Sequence, residues 1–205
     1  MDELASAERN QSHNFIAGIC NLGKLQKETA SMSSVYSYDD IALIAAKALN
    51  GKFRDHRNGD CAGTNVVERY DHAWWNIMLP PMSIIHKINI IFRENYTRHY
   101  GYYVYLNKEP VDISGLASLP AVYRGQTEHP STQNVILFPE GHQGEQMYIY
   151  LNKSKPEDTD GDEDNNVLDV CEVEILGTQS FFEIPLFISL SVLKTRGTVS
   201  NELTK

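Results

Sequence analysis

A chain of 205 residues is long enough to bury one sizeable core and too short for two comfortable ones. Its 27 acidic and 18 basic side chains leave a net charge of −9, with no block of lysine and arginine, which excludes an electrostatic footprint for nucleic acid. No signal peptide is visible in "MDELASAERN", and the late apolar stretch "FFEIPLFISLSVL" is shorter than a bilayer span and carries Glu183 and Pro185, so there is no clear membrane span.

Residues 1–19 are polar and aperiodic and read as a flexible N-terminal arm. "SYDDIALIAAKALNGK", residues 37–52, offers a cap at Asp39 or Asp40, an alanine-rich run and a stop at Gly51. It predicts the one short helix. "FRDHRNGDCAGTN" is a charged, glycine-containing loop. Six strand-like runs follow: "HAWWNIML", "SIIHKINIIF", "YGYYVYL", "NVILF", "QMYIYL" and "NVLDVCEVEIL". They are separated by Pro, Gly or polar breaks and do not alternate with helices, which predicts an all-β antiparallel sandwich. In "DVCEVEILG" the strict alternation sets Cys171, Val173 and Ile175 on the buried face, and Val170, Glu172 and Glu174 on the other. A domain over 20–178 is the natural division, with 179–205 a C-terminal tail or extra strand.

The remaining signals are thin. "KSKPEDTDGDEDNN" has the acidity of an EF-hand loop, but Gly161 falls inside the acidic triplet and no helices flank it; it reads as a solvated hairpin loop. Cys20, Cys61 and Cys171 lie far apart without a C-x-x-C, so one disulfide and one leftover thiol is the expectation in an oxidising compartment. Acceptor triplets for N-glycans stand at Asn10, Asn95 and Asn152. No G-x-S-x-G, H-E-x-x-H or phosphate-cradling glycine loop is present, which argues against an enzyme.

Taken in order, "NLGKLQKETASMSS", "AAKALNGK", the loop Cys61, "AWWNIML", "IHKINIIFRENYTRHYGYYVYL" and "DVCEVEILG" line up with a known pattern. The chain resembles the fucolectin-type lectin domain, a branch of the discoidin (F5/8 type C-like) galactose-binding superfamily, over roughly residues 21–177. It looks most like the copies found in invertebrate cell-surface proteins. The resemblance implies a jelly-roll antiparallel β-sandwich with one short helix, and a disulfide between Cys61 and Cys171. It also implies a calcium ion held at the turn after the helix by Asn50, Asp60, Cys171 and Glu172, partly through main-chain carbonyls. Against this, Asn50 stands where the family has an aspartate, and the ammonium groups of Lys47 and Lys52 flank the site and oppose a divalent cation.

The same resemblance implies a sugar site built on Arg93 and Arg98, whose guanidinium forks donate paired hydrogen bonds to hydroxyls. The family's histidine after the loop cysteine is missing from "CAGTN", the arginine spacing is shortened, and Asn95 replaces an acid. Tyr96, Tyr100 and an exposed His99 are candidate stacking surfaces; Trp74 and Trp75 are expected to pack within the sandwich. Cys20 stands where the superfamily ties its termini together, but Thr178 occupies the position its partner would need. The expectation is a non-enzymatic, extracellular or cell-surface, calcium-supported carbohydrate-binding module for fucose- or galactose-like terminal sugars. Its partners would be glycans or glycoproteins, with self-association into a homo-oligomer. The alternative is a protein-interaction or cell-adhesion module on the same sandwich that has lost sugar binding.

Overall fold

The computed structural model describes residues 18–52, 59–65, 71–94, 98–127, 130–152 and 166–179. The first 17 residues of the arm, the acidic run 153–165, the tail 180–205, Asn10, Asn95 and Tyr96 lie outside the described residues.

Two antiparallel sheets face each other. In the first, β1 (Cys20–Asn21), β12 (Asp169–Gln179), β7 (Ser83–Phe92) and β10 (Gln133–Gln143) are neighbours in that order, and β5 (Ala62–Gly63) pairs with the start of β12. The second runs β2 (Ser31–Met32), β6 (Ala73–Met78), β11 (Gln146–Leu151), β8 (Tyr103–Asn107) and β9 (Tyr123–Arg124). Period-two alternation dictates the packing: Trp75 and Ile77 from β6, Val104 from β8, and Met147 and Ile149 from β11 point inward, meeting Ile88, Ile90 and Phe92 of β7. The outer face of the second sheet is aromatic, and Leu116, with Val111 and Ile113, packs over Tyr105 and Tyr148. Among the described residues no helix is long and apolar enough to cross a membrane.

Two expectations need correction. The helix expected from Asp39 to Gly51 is confined to its alanine-rich half. Ser37–Tyr38 (β3) and Ile41–Ala42 (β4) form a hairpin, and only Ala45–Leu49 coils, as a 3₁₀ turn. Asp39 and Asp40 serve as turn residues, Asp39 with φ of +42°, which a short polar side chain tolerates. Among the described residues the single α-turn, α1 (Leu22–Leu25), lies earlier, capped by the Asn21 side chain accepting from the Lys24 N–H.

The second correction concerns faces. The register between β12 and β7 slips at Cys171, with Val170 opposite Phe92 but Glu172 opposite Ile91. One extra residue inverts the phase of the alternation. Val170 therefore joins Val173 and Ile175 in the main core, while Cys171 stays buried as expected but packs apart from them, with Cys61 and Ile91.

Candidate functional site

The bulge at Cys171 puts two neighbouring groups of polar side chains at the start of β12. The first centres on Asp169. Its carboxylate is 7 % exposed, and Oδ2 lies 3.6 Å from Nη1 of Arg98, whose own side chain is 14 % exposed. Arg93 leaves β7 beside it, its backbone N–H donating to the Asp169 carbonyl at 3.0 Å. Oδ2 accepts no hydrogen bond. Burial pushes the Asp169 carboxyl above its ordinary value, and the Arg93 and Arg98 charges pull it down without cancelling the effect. Arg93 and Arg98 are thus brought together around one buried acid.

Sequence reasoning misses Asp169, although it opens the "DVCEVEILG" strand. The signal is indirect: Asn95 replaces the acid expected between the arginines, so another strand has to supply the counter-charge. The missing histidine also has a spatial reason. Gly63 is the register partner of Asp169, and a Cβ there would come within 2.8 Å of Leu43 Cδ1 and 3.1 Å of Asp169 Oδ1. A side chain at 63 would force the Leu43 tip to shift and crowd the Asp169 carboxylate.

His99 is not the exposed surface expected. It is 3 % exposed, stacked on Phe92 with centroids 4.1 Å apart, and its Nε2 sits 3.1 Å from the Ser131 carbonyl. Burying an imidazole against the last ring of β7 anchors the 98–100 turn that carries Arg98. Tyr100 is half-buried. Trp75 is a core residue whose Nε1–H donates to the Ala45 carbonyl at 3.0 Å, fixing the 3₁₀ turn to the sheet, while Trp74 lies half-buried on the outer face against Tyr148.

The second group surrounds that turn. Cys61 and Cys171 are joined as a disulfide. Asp60 therefore lies near Glu172, and Asn50 and Gly51 link the two: Asn50 Nδ2 donates to the Asp60 carbonyl at 2.8 Å, and Gly51 donates its N–H to Glu172 Oε2 at 3.0 Å. Asn50, Asp60, Cys171 and Glu172 share one neighbourhood. Burial pushes the Glu172 carboxyl up to about 7, against the Gly51 hydrogen bond and the charges of Lys24 and Lys27, with Glu174 adding to the rise. Cys20 is a free thiol opposite Gly177.

A calcium ion takes six to eight oxygens, and several of the polar groups here are already bonded within the chain. The Asn50 amide turns its nitrogen toward the Asp60 carbonyl, and its oxygen accepts the Lys52 N–H at 2.7 Å. Asp60 Oδ1 is paired with Lys52 Nζ at 3.0 Å, and the Gly59 carbonyl accepts from Lys47 Nζ. Among the described residues no group of three or more His, Cys, Asp or Glu side chains is placed to hold a metal.

Two facing antiparallel sheets around one core define the class: an antiparallel β-sandwich. More particularly, the fold is that of fucolectin-type lectin domains and related carbohydrate-binding modules. A crystal structure of an F-lectin (fucolectin) from striped bass (Morone saxatilis) serum matches at a TM-score of 0.61 with 22 % identity, over 78 % of this chain and 50 % of that one. The chain thus spans about half the length of that protein. The lectin domain of Lectinolysin complexed with Lewis B antigen matches at 0.54 with 19 % identity, over 78 % of this chain and 97 % of that one. A fucose-binding module from Streptococcus pneumoniae matches at 0.54 with 17 % identity, over 80 % and 99 %. No family model matches the chain, and no curated protein matches it.

Proposed function

We propose that this domain is a non-enzymatic, extracellular carbohydrate-binding module for fucose- or galactose-like terminal sugars, read through Arg93 and Arg98. The observation that carries the reading is the pair of arginines held around the buried Asp169, at the end of a sandwich of lectin fold. Each guanidinium carries five donors in a plane, a geometry suited to vicinal hydroxyls and a ring oxygen. The neighbours bearing fucolectin, fucose-binding and Lewis B names support the sugar class, and the Cys61–Cys171 disulfide supports an oxidising compartment. Glycine at 63 deprives a sugar of a third contact from that strand. Single-site binding is therefore weak, and avidity comes from several copies or dense glycans.

The test is a glycan array at high ligand density, with wild-type protein beside Arg93→Ala and Arg93→Lys. Wild type binds terminal fucose or galactose. Arg93→Ala loses roughly ten- to a hundredfold, as expected for a hydrogen bond from a charged group. Arg93→Lys recovers little, because an ammonium cannot donate as a planar fork. A blank wild-type array sinks the lectin reading and leaves the adhesion alternative. That alternative has its own observation: Val135 and Leu137 stand 47 % and 65 % exposed on β10, an edge strand.

A further inference from the structure

We propose that Gly59 and Asp60, just ahead of Cys61, are held by the ammonium groups of Lys47 and Lys52 in place of a divalent cation, so that folding of this domain is insensitive to calcium. The inference does not rest on the lectin reading.

The bonding pattern is that of a cation site answered from within the chain. A calcium ion draws carbonyl and carboxylate oxygens from separated parts of a loop onto one positive centre. Here the oxygens are the Gly59 carbonyl and the Asp60 carboxylate, and the positive centres are Lys47 Nζ and Lys52 Nζ. Both lysines lie on the N-terminal side of this stretch, Lys47 within the Ala45–Leu49 coil and Lys52 just beyond it. They bond to Gly59 and Asp60, immediately before Cys61. Asn50 completes the exchange: its amide nitrogen donates to the Asp60 carbonyl, where a metal-binding aspartate would offer oxygen. A divalent ion introduced at this point would meet two ammonium groups and an amide N–H₂, all of them donors.

The two lysines contribute unequally. Lys52 is 61 % exposed along its side chain, and an exposed ion pair contributes little. Lys47 is half-buried, and its Nζ lies 3.4 Å from where a Cβ on Gly59 would sit, with Ile41 Cγ2 at 2.7 Å. Gly59 has φ of +80°, a conformation that favours glycine. Glycine thus lets the chain pass close enough to Ile41 for its carbonyl to receive the lysine. Lys47 is the principal tether.

The test is a set of thermal melts of the oxidised full chain in 5 mM EDTA and at rising calcium up to about 10 mM, with a calorimetric titration of calcium alone. The expected result is an unchanged midpoint and no binding heat. A ligand that binds only the folded state must raise the midpoint once it exceeds its dissociation constant. A calcium-dependent rise in wild type would overturn the proposal without any variant. Lys47→Met keeps the aliphatic stem and removes the charge. It should lower the midpoint by about 3–12 °C, the range for a charge-assisted hydrogen bond in a domain of this size. Lys52→Met should change it by less than about 3 °C. A Lys47→Met midpoint equal to wild type would also overturn the proposal. Glycan binding plays no part in either measurement, so a blank array leaves this proposal standing and a calcium-shifted melt leaves the lectin reading standing.

Discussion

Arg98→Ala should destabilise the domain in a way that disappears at low pH and is rescued by a second substitution. At 3.6 Å, the attraction between Arg98 and Asp169 is about 4–5 kcal/mol at an effective dielectric of about 20. The desolvation of both groups opposes it. Burial wins over the arginines, since the Asp169 carboxyl sits above its ordinary value in the folded state. Removing one partner of such a pair leaves the other charge buried, at a loss of roughly 3–5 kcal/mol. Arg93 remains near the carboxylate, so the lower end, about 3 kcal/mol, is expected. For a domain of this size that is a drop of about 6–12 °C.

The sign with pH follows from linkage. A carboxyl whose folded pKa is raised weakens the fold above that pKa, and the penalty vanishes below the unfolded value of 3.8. Without Arg98 the folded pKa climbs further. The deficit of Arg98→Ala relative to wild type is therefore full at pH 7 and shrinks toward pH 4. Asp169→Asn removes the charge altogether, so Arg98→Ala combined with Asp169→Asn should melt well above Arg98→Ala alone. Thermal melts of the four proteins at both pH values read the coupling directly. A double variant as unstable as Arg98→Ala, or a deficit that does not change with pH, would refute the argument.

Other outcomes are shorter to state. Gly63→His, which would restore the residue type that fucolectin-like domains place after the loop cysteine, should lower the melting midpoint and fail to improve glycan binding. Its Cβ would press on Leu43 and Asp169, and only displacement of both could make room. Alkylation of the oxidised, unfolded chain followed by peptide mapping should label Cys20 alone and recover Cys61 linked to Cys171.

The long strands are legible because their chemistry is local. "SIIHKINIIF" and "QMYIYL" alternate or run apolar over just the residues that form β7 and β11. The run from Asp39 to Gly51 misleads because adjacent aspartates serve equally as a helix cap or a hairpin turn. The choice falls to Ile41, which pairs across the hairpin with Tyr38, and to buried Leu43. The faces of "DVCEVEILG" mislead for a different reason. A bulge belongs to a pair of strands, and nothing in β12 alone announces that it will leave Cys171 unpaired against β7. The same applies to Asp169. Its importance arises from meeting Arg93 and Arg98, more than seventy positions earlier in the chain, and pattern within one strand cannot report it. Lys47 and Lys52 are visible as misplaced charges, but their bonds to Gly59 and Asp60 require the turn to be built.

The bulge also joins the disulfide to the arginine site, and this yields the last prediction. Cys171 follows Asp169 by two residues, and Cys61 precedes Gly63, the partner of Asp169, by two. The bond therefore clamps β5 to β12 at one end of a ladder only two residue pairs long, Gly63 with Asp169 and Ala62 with Val170. With the cysteines 110 positions apart, the chain-entropy model gives a stabilisation of about 4–5 kcal/mol. Cys61→Ser combined with Cys171→Ser should then lower the midpoint by roughly 10–20 °C. A two-pair ladder without its clamp opens readily, which loosens the packing of Gly63 against Asp169 and the placing of both arginines. Glycan binding by the double serine variant should consequently fall several-fold even at 10 °C, where it remains folded. If its midpoint falls while its affinity at 10 °C equals that of wild type, the clamp serves stability alone. An unchanged midpoint would refute the stabilising role as well.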